Sequence, residues 1–401
     1  MGAPDPADVA HMRAALALAR RGLGVTWPNP SVGCVIVRDG RVVGRASTAP
    51  GGRPHAETAA LAHAGGSARG ATAYVTLEPC CHWGRTPPCT GALVDAGVAR
   101  VVLGVRDPDS RVDGQGIAAL RARGIEVVEG VLEDEAAEVI AAFGQRVRAG
   151  RPLVTLKLAS TLDGRIATRA GESRWITGPA ARRAAHALRG CHDAVMVGIG
   201  TALADDPDLT CRIPGMRALP VVRVVADSTL RTPFSSRLVA SASEAPVWLL
   251  VSPDADPAKR AEAERLGARV IAVHPHPNPL PQAGEGALNA RAKPTTPPLP
   301  RGEGRGEGGH TLNLHAALLA LGAAGLTSVL AEGGARLAAG LLQADLVDRL
   351  AWFHAPAVIG GDGLPAASAM GLERLADLPR FRRHSATPLG GDMLTTFERA
   401  P

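Results

Sequence analysis

The sequence predicts an α/β protein of two domains. The chain has 401 residues, and about 100–200 residues usually make one domain. Segments with the pattern of strands alternate with segments with the pattern of helices through both halves, which indicates layers of helices on sheets. A helical pattern over 134–149 stops at a Gly-Arg-Pro sequence that begins at Gly150. We therefore expect one domain at 1–150 and a second at 151–401.

The first half begins with a helix and a hairpin. Apolar residues recur at helical spacing over 8–22 and stop at Gly22. Asp39 and Gly40 then join two apolar runs, which is a strong signal for a β-hairpin. The later elements expected in this half are helices at 56–64, 90–97, 116–124 and 134–149 and strands at 72–78, 100–105 and 125–130.

The second half repeats the alternation of strands and helices. The predicted strands lie at 152–160, 193–200, 221–227, 246–252, 269–273, 328–334 and 349–356. The predicted helices lie at 179–189, 258–267, 313–325 and 335–345. This order again indicates an α/β domain.

A proline- and glycine-rich segment at 274–310 interrupts the second half. It holds eight prolines and a crude repeat, PLPQAGEG and PLPRGEG, and has few apolar residues to bury. One interpretation is a proline-rich ligand for a partner domain. We favour a solvated, disordered insertion, because this composition does not repay the entropy of ordering and a fold tolerates long loops.

The basic net charge does not indicate a nucleic-acid partner. The formal charge is +6, but all of the 44 basic residues except Lys157, Lys259 and Lys293 are arginines, and they are spread over the whole chain. Aromatic residues make up 3%, which leaves few platforms for stacking bases. We attribute the charge to compositional bias and expect no nucleic-acid partner.

The cysteines and the apolar runs point to a reducing compartment. Six cysteines in a chain of this size do not form a disulfide framework. The N-terminus lacks the apolar core of a signal peptide, and no apolar run reaches the roughly 18 residues of a membrane span. We therefore expect a cytoplasmic protein with no membrane partner, in which clustered cysteine and histidine indicate a metal.

The most specific motif joins a histidine, a glutamate and two cysteines. His55-Ala56-Glu57 is followed by Cys80 and, after eight further residues, by Cys89. One imidazole and two thiolates hold Zn²⁺ and leave a fourth position for water, which is typical of catalytic zinc. Cys89 also precedes a predicted helix, whose dipole favours a thiolate. The pattern predicts Zn²⁺ on these three ligands, with Glu57 as the acid/base.

A structural zinc site is the alternative. Such a site normally has four protein ligands, and Cys81 or His82 would have to supply the fourth. The other cysteines do not have the short spacing of a zinc knuckle. We favour catalytic zinc, with Cys81 as a neighbour rather than a ligand.

The second half carries weaker signals. Gly198 and Gly200 begin a dinucleotide-binding pattern, but its third glycine is missing. The strand, Gly-Gly turn and alanine-rich helix around 334–340 would suit a phosphate at the helix N-terminus, although such a turn is also a common tight connection. Arg189 and Arg212 would suit a phosphate, but in an arginine-rich chain each is weak evidence.

The first half resembles a known enzyme family. PNPSVGCVIV, PHAE, TAYVTLEPCCHWGRTPPC and GVARVVLGVRDP are similar to the pyrimidine deaminase domain of the bifunctional riboflavin-biosynthesis deaminase/reductases. The resemblance implies a cytidine-deaminase-like three-layer α/β/α fold, zinc on His55, Cys80 and Cys89, and Glu57 as the acid/base. It also implies that Asn29 and His82 hold the pyrimidine. The family usually has serine at Cys81 and an aromatic–histidine pair at Ser47-Thr48.

The second half resembles the reductase domain of the same family. The matching segments are KLASTLDGRIA, GESRWITG, ALRGCHDAVMVGIGTALADDPDLTCR, ADSTLRTP and AEGGARLAAGLL. The resemblance implies a dihydrofolate-reductase-like α/β fold. It implies NADPH contacts at Ala159, Trp175, Thr201, Asp205, Ser228, Gly334, Ala335, Arg336, Leu337, Ala338, Ala339 and Gly340. It implies substrate contacts at Ser173, Arg189, Leu209, Arg212 and Glu332.

Together the two halves imply a two-step enzyme of riboflavin biosynthesis. Its zinc-dependent domain deaminates 2,5-diamino-6-ribosylamino-4(3H)-pyrimidinone 5′-phosphate, and its NADPH-dependent domain then reduces the ribosyl group to ribityl. The resemblance also implies a homo-oligomer. Two rival hypotheses are a nucleic-acid editing protein and a chain whose second half is a degenerate reductase that serves only in dimerisation. Consumption of NADPH with the deaminated substrate would exclude both.

Overall fold

The computed structural model describes residues 5–273 and 312–400. It contains a five-stranded sheet in the first half of the chain and a nine-stranded sheet in the second. A two-stranded ribbon completes the strands of the described residues. The predicted insertion at 274–310 lies outside the described residues.

The helices and strands of the first half follow the predicted order. They are α1 (Pro6–Arg21), β1 (Gly33–Arg38), β2 (Arg41–Ser47), α2 (Ala56–Ala64), β3 (Thr72–Leu77), α3 (Cys89–Asp95), β4 (Arg100–Val105), α4 (Gln115–Arg121), β5 (Glu126–Val128) and α5 (Glu133–Ala149). Helix α5 ends where Gly150 adopts φ +70°, a conformation that favours glycine at helix ends.

The first sheet lies between two layers of helices. Its strand order is β2-β1-β3-β4-β5; β1 pairs antiparallel with β2 and β3, and β3, β4 and β5 are parallel. Met12 and Leu16 of α1 pack with α5 on one face, while Ala60 of α2, Leu93 of α3 and Leu120 of α4 pack on the other. This is the predicted α/β/α arrangement.

The second half contains the remaining elements. They are β6 (Leu153–Thr161), β7 (Arg165–Ala167), α6 (Pro179–Gly190), β8 (Ala194–Gly198), α7 (Ile199–Asp205), β9 (Val222–Ala226), α8 (Arg237–Ala240), β10 (Val247–Val251), α9 (Pro257–Arg265), β11 (Arg269–Ala272), α10 (Leu314–Ala323), β12 (Ser328–Glu332), α11 (Ala335–Gln343), β13 (Arg349–Ala355), β14 (Leu364–Pro365), β15 (Phe381–Leu389) and β16 (Asp392–Arg399). The strand predicted at 193–200 is too long, since α7 begins at Ile199.

Seven neighbouring strands of the second sheet are parallel. The order is β11-β10-β9-β8-β12-β6-β13-β16-β15, and β16 alone runs in the opposite direction, so that it pairs antiparallel with both β13 and β15. Buried side chains of α10 and α11 cover one face, and those of α8 and α9 cover the other. Burial on both faces explains why these strands read as continuous apolar runs.

The C-terminal hairpin of β15 and β16 is absent from the sequence prediction. Its strands are joined by Gly390 and Gly391, a dipeptide that often marks a hairpin. Most of β15 is exposed on both faces, so the strand lacks the apolar alternation that identified the others. Among the described residues, no helix combines the length and apolarity that crossing a bilayer requires.

Candidate functional site

The three predicted zinc ligands meet at one end of the first sheet. His55 precedes α2, Cys80 follows β3 in a loop, and Cys89 is the first residue of α3. Their ligand atoms all lie within 4.8 Å of one another. His55 Nδ1 is 3.3 Å from Cys89 Sγ and 3.8 Å from Cys80 Sγ. The donor set therefore suits a tetrahedral Zn²⁺ with one position left for another ligand.

Glu57 lies in the first turn of α2, beside this cluster and outside its set of ligands. Its side chain is buried and lines a cavity of about 480 Å³ that also contains His55 and Cys80. Burial raises the pKa of Glu57, and the charge of Cys80 raises it further. A carboxyl group whose pKa is raised towards neutrality suits proton transfer.

The two cysteines differ in their acidity. A hydrogen bond from the Cys89 thiol lowers the pKa of Cys80 to about 4, and the backbone N–H of Cys89 donates to Cys80 Sγ at 3.4 Å. The hydrogen bond between the two thiol groups conversely raises the pKa of Cys89. The sequence analysis expected the dipole of α3 to favour a thiolate at Cys89; in the metal-free cluster the hydrogen bond between the two thiols opposes this and favours the thiolate of Cys80.

Asn29 and His82, which the resemblance predicts to hold the pyrimidine, both line this cavity. The Asn29 amide donates to the carbonyl of Gly52 at 2.8 Å and contacts His55 Nε2 at 3.3 Å. His82 Nδ1 is buried and has no hydrogen-bond partner among the described residues. Asn29 thus contacts a predicted metal ligand, and His82 lines the same cavity with an unpartnered ring nitrogen.

The residues that depart from the family pattern have other contacts. Thr48 Oγ1 accepts the backbone N–H of Val32 at 3.0 Å and is buried. The Cys81 thiol donates to the carbonyl of Arg111 at 3.7 Å, and Cys81 is not part of the metal cluster. The hydrogen bond of Thr48 thus joins the residue after β2 to the residue before β1, next to the cavity.

Asp107 is a cavity residue that the sequence analysis did not identify. It follows β4 and lines the cavity. Burial raises its pKa to about 7. Because Asp107 belongs to the match GVARVVLGVRDP, its position was visible in the sequence, but its burial depends on how β4 packs.

Four of the residues predicted for the reductase half lie at one edge of the nine-stranded sheet, the edge formed by the carboxyl ends of its parallel strands. Ala159 is near the end of β6, α7 with Thr201 follows β8, Ser228 follows β9, and Glu332 ends β12. These four strands are parallel neighbours, so their carboxyl ends share an edge. Ligands of open α/β sheets bind at this edge.

The Gly-Gly turn after β12 packs closely on α7. Gly333 has φ +110°, and a Cβ there would lie 2.8 Å from Thr201 Oγ1. Gly334 precedes α11, whose first turn has no side-chain cap. The turn therefore presents backbone N–H groups beside Thr201, an arrangement that suits the pyrophosphate of a dinucleotide. This fits the predicted NADPH contacts over 334–340.

Arg189 and Glu332 form an ion pair at this edge of the sheet. Arg189 Nε and Nη2 donate to the two carboxylate oxygens at 2.6 and 2.9 Å. Burial opposes the charge of Glu332, but the guanidinium holds the pKa of this carboxyl group below its ordinary value. Since Glu332 occupies two donors of Arg189, Arg212 is the more available cation for a phosphate.

The remaining residues predicted for the reductase half lie in loops and at the end of α7. Trp175 is 69% exposed and its ring lies 4.5 Å from the Arg182 guanidinium. Asp205 ends α7, beside Arg174. Ser173 is in the loop before α6 and is exposed. Leu209 has φ +53° and its side chain is buried in the core, which leaves its backbone for any substrate contact.

Lys157 is a residue of this site that the sequence analysis missed. It pairs in register with Glu332 across β6 and β12. Burial lowers its pKa, while Glu332 favours its charge. Its ammonium lies 5.7 Å from the Phe353 ring centroid. The available signal was a rare lysine inside an apolar strand, but only the strand order brings it to Glu332.

Two family models match the chain. Residues 6–105 match the model described as the cytidine and deoxycytidylate deaminase zinc-binding region. Residues 152–395 match the model described as the RibD C-terminal domain. The first match contains His55, Cys80 and Cys89, and the second contains the edge of the nine-stranded sheet. Both confirm the predicted fold class.

Relatives match over nearly the full length. Riboflavin biosynthesis protein RibD of Escherichia coli (strain K12) is 38% identical over 397 residues, which cover 96% of this chain and 98% of the relative. A structure of Acinetobacter baumannii RibD has a TM-score of 0.81 at 34% identity, covering 98% of this chain and 99% of that one. A Thermotoga maritima structure, described as a diaminohydroxyphosphoribosylaminopyrimidine deaminase/5-amino-6-(5-phosphoribosylamino)uracil reductase, has a TM-score of 0.79 at 32% identity, covering 98% of this chain and 99% of that one.

Proposed function

Because this chain belongs to the RibD family of bifunctional riboflavin-biosynthesis deaminase/reductases, we propose that its residues 1–150 carry the deaminase site and residues 151–401 the reductase site. The enzyme deaminates the diaminopyrimidine ribosyl phosphate and reduces the ribosyl group to ribityl, with Zn²⁺ and NADPH as cofactors. The assignment of individual residues to these two steps is our proposal.

His55, Cys80 and Cys89 hold the metal in this proposal. Bound Zn²⁺ supplies Lewis acidity that lowers the pKa of a coordinated water. Glu57 would accept a proton from the attacking water and donate it to the pyrimidine ring nitrogen. It would then accept a second proton from the hydroxyl group on the attacked carbon and donate it to the leaving amino group, which departs as ammonia. Asn29 and His82 hold the pyrimidine against the cluster. The single observation that carries the proposal is the buried Glu57 in a cavity that is also lined by His55 and Cys80, two members of the three-residue metal cluster.

The carboxyl edge of the nine-stranded sheet carries the reduction. NADPH supplies the hydride that reduces the ribosyl carbon. The Gly-Gly turn and α11 bind its phosphates through backbone N–H groups. The residues assigned to NADPH are Ala159, Trp175, Thr201, Asp205, Ser228 and 334–340. The residues assigned to the phosphorylated substrate are Ser173, Arg189, Leu209, Arg212 and Glu332, which include the two arginines suited to a phosphate monoester.

Glu57→Gln tests the deaminase assignment. We expect ammonia release to fall about 10²- to 10⁴-fold, the usual contribution of a general acid/base, while the zinc content stays that of the wild type. Glu133→Gln, at an exposed glutamate that begins α5, is the matched control and should keep full activity. NADPH consumption with the deaminated substrate should be unchanged in both variants. Ammonia release near the wild-type rate in Glu57→Gln would refute the acid/base role.

We also propose a homo-oligomer in a reducing cytoplasm. The family resemblance supports the oligomer, and the six unpaired cysteines support the compartment. Light scattering of the purified chain tests the first proposal. A monomer at micromolar concentration would contradict it.

A further inference from the structure

His186 connects helix α6 to the segment that carries Arg212. It lies one turn before Arg189 on α6, and its Nδ1 is 3.1 Å from the carbonyl oxygen of Thr210. Its Nε2 is 3.2 Å from Arg212 Nε. Arg189 Nη1 donates to the same Thr210 carbonyl at 3.1 Å. The Cys211 thiol donates to the backbone carbonyl of His186 at 3.2 Å. The segment 210–212 is therefore fastened to one face of α6.

These contacts select one form of the imidazole. A carbonyl oxygen only accepts, so Nδ1 carries the proton and Nε2 accepts from Arg212 Nε. The other neutral form would accept the backbone N–H of Arg212 at Nδ1, 3.3 Å away, but would set the Nε2 and Nε protons against each other. Burial lowers the pKa of His186, and Arg189 and Arg212 lower it further, which keeps the ring neutral.

A neutral acceptor has a specific consequence for Arg212. The hydrogen bond fixes the guanidinium through Nε and leaves both terminal nitrogens for a ligand. A carboxylate in the same place would also fix the side chain, but it would cancel the charge, as Glu332 does for Arg189. In this form of the ring the Arg212 side chain donates to His186 Nε2, and among the described residues no carboxylate pairs with the Arg212 guanidinium.

We propose that His186 is a positioning residue for the substrate phosphate in the reductase site, holding Arg212 in place without neutralising it. The inference rests on the proposed phosphate-binding role of Arg212 and deepens it. An arginine fixed at Nε offers a preorganised pair of donors to a phosphate, whereas a free arginine loses side-chain entropy on binding.

Three substitutions of His186 separate its role as a hydrogen-bond acceptor for Arg212 from the effect of its neutral charge. Each variant of the full-length enzyme is assayed by NADPH consumption with the deaminated substrate and with the same compound lacking its 5′-phosphate. His186→Gln keeps a neutral acceptor and should retain a KM within about twofold of the wild type. His186→Leu removes the acceptor, and His186→Glu keeps an acceptor but adds a negative charge.

We expect the Leu and Glu variants to raise KM for the phosphorylated substrate about tenfold, the loss expected from one charge-assisted hydrogen bond. Their kcat, their KM for NADPH and their KM for the dephosphorylated compound should change little. A damaged fold would instead affect all of these constants together. Arg183→Gln, which removes an exposed charge from the same helix, is the control for general electrostatics and should leave the phosphate preference intact.

Arg212→Gln distinguishes a failure of the role proposed for His186 from a failure of the role proposed for Arg212. If this variant keeps the wild-type preference for the phosphorylated substrate, the role of Arg212 itself is wrong. If it loses the preference while His186→Leu and His186→Glu keep it, the role of His186 is wrong and that of Arg212 stands. Loss of the preference in all three variants, with retention in His186→Gln, supports the inference.

Discussion

His192 should make the stability of the second half depend on pH. The imidazole is buried, with Nδ1 2.7 Å from the carbonyl oxygen of Leu188 and Nε2 2.8 Å from Thr155 Oγ1. Burial lowers its pKa from the ordinary 6.5 to about 4. One pKa unit corresponds to about 1.4 kcal/mol, so protonating the folded state costs about 3 kcal/mol more than protonating the unfolded chain.

The direction of this pH dependence follows from whether the folded or the unfolded protein binds the proton. Between pH 6.5 and pH 4 the unfolded chain binds a proton that the folded protein does not, so stability is full above pH 6.5 and is lost as the pH falls. At pH 5 the loss from this group is about 2 kcal/mol. His192→Gln removes the titration, and the variant should therefore lose about 2 kcal/mol less than the wild type between pH 7.5 and pH 5.

Urea unfolding at the two pH values measures this difference. Titrations of other groups contribute equally to both proteins and cancel in the comparison. His63, an exposed histidine at the end of α2, provides the control His63→Gln, which should follow the wild type. If His192→Gln and the wild type lose stability in parallel, His192 is not held neutral by burial and the reasoning fails.

Three further predictions concern the metal, the second site and the insertion. Cys89→Ala should lose bound zinc and ammonia release but keep NADPH consumption with the deaminated substrate; full zinc content, measured by atomic emission, would contradict its role as a ligand. Glu332→Leu should lower the free energy of unfolding by about 3–5 kcal/mol, because it leaves Arg189 buried without its partner; an unchanged urea midpoint would contradict this. Deleting residues 278–308 should leave both activities intact, and loss of either in a folded deletion variant would refute the interpretation of the segment as a solvated insertion.

Most elements were predictable because each contains its own pattern. Strands buried on both faces read as apolar runs, and the Asp39-Gly40 turn identified the first hairpin. The hairpin of 381–399 was missed because β15 is largely exposed and lacks apolar alternation. The boundary between β8 and α7 was misplaced, since Ile199 is apolar in either element and only Gly198, in extended backbone, separates the two.

The two sites differ in how far the sequence could predict them. The metal cluster rests on short spacing, so His55 and Glu57 at the start of one helix and Cys80 and Cys89 around one loop were visible directly. The second site is made from strands far apart in the chain. The pairing of Lys157 with Glu332 depends on the order β8-β12-β6, which no local pattern encodes. For this site the resemblance supplied residues that periodicity did not.

The stoichiometry of the two reactions in one preparation tests the central claim most directly. The purified wild-type chain, with zinc, NADPH and the diaminopyrimidine ribosyl phosphate, should oxidise one NADPH for each ammonia released. Glu57→Gln should do neither with this substrate, yet should oxidise NADPH when given the deaminated compound. Sustained NADPH oxidation by Glu57→Gln on the diamino substrate would contradict the account, because reduction would then not require the deamination assigned to the zinc cavity.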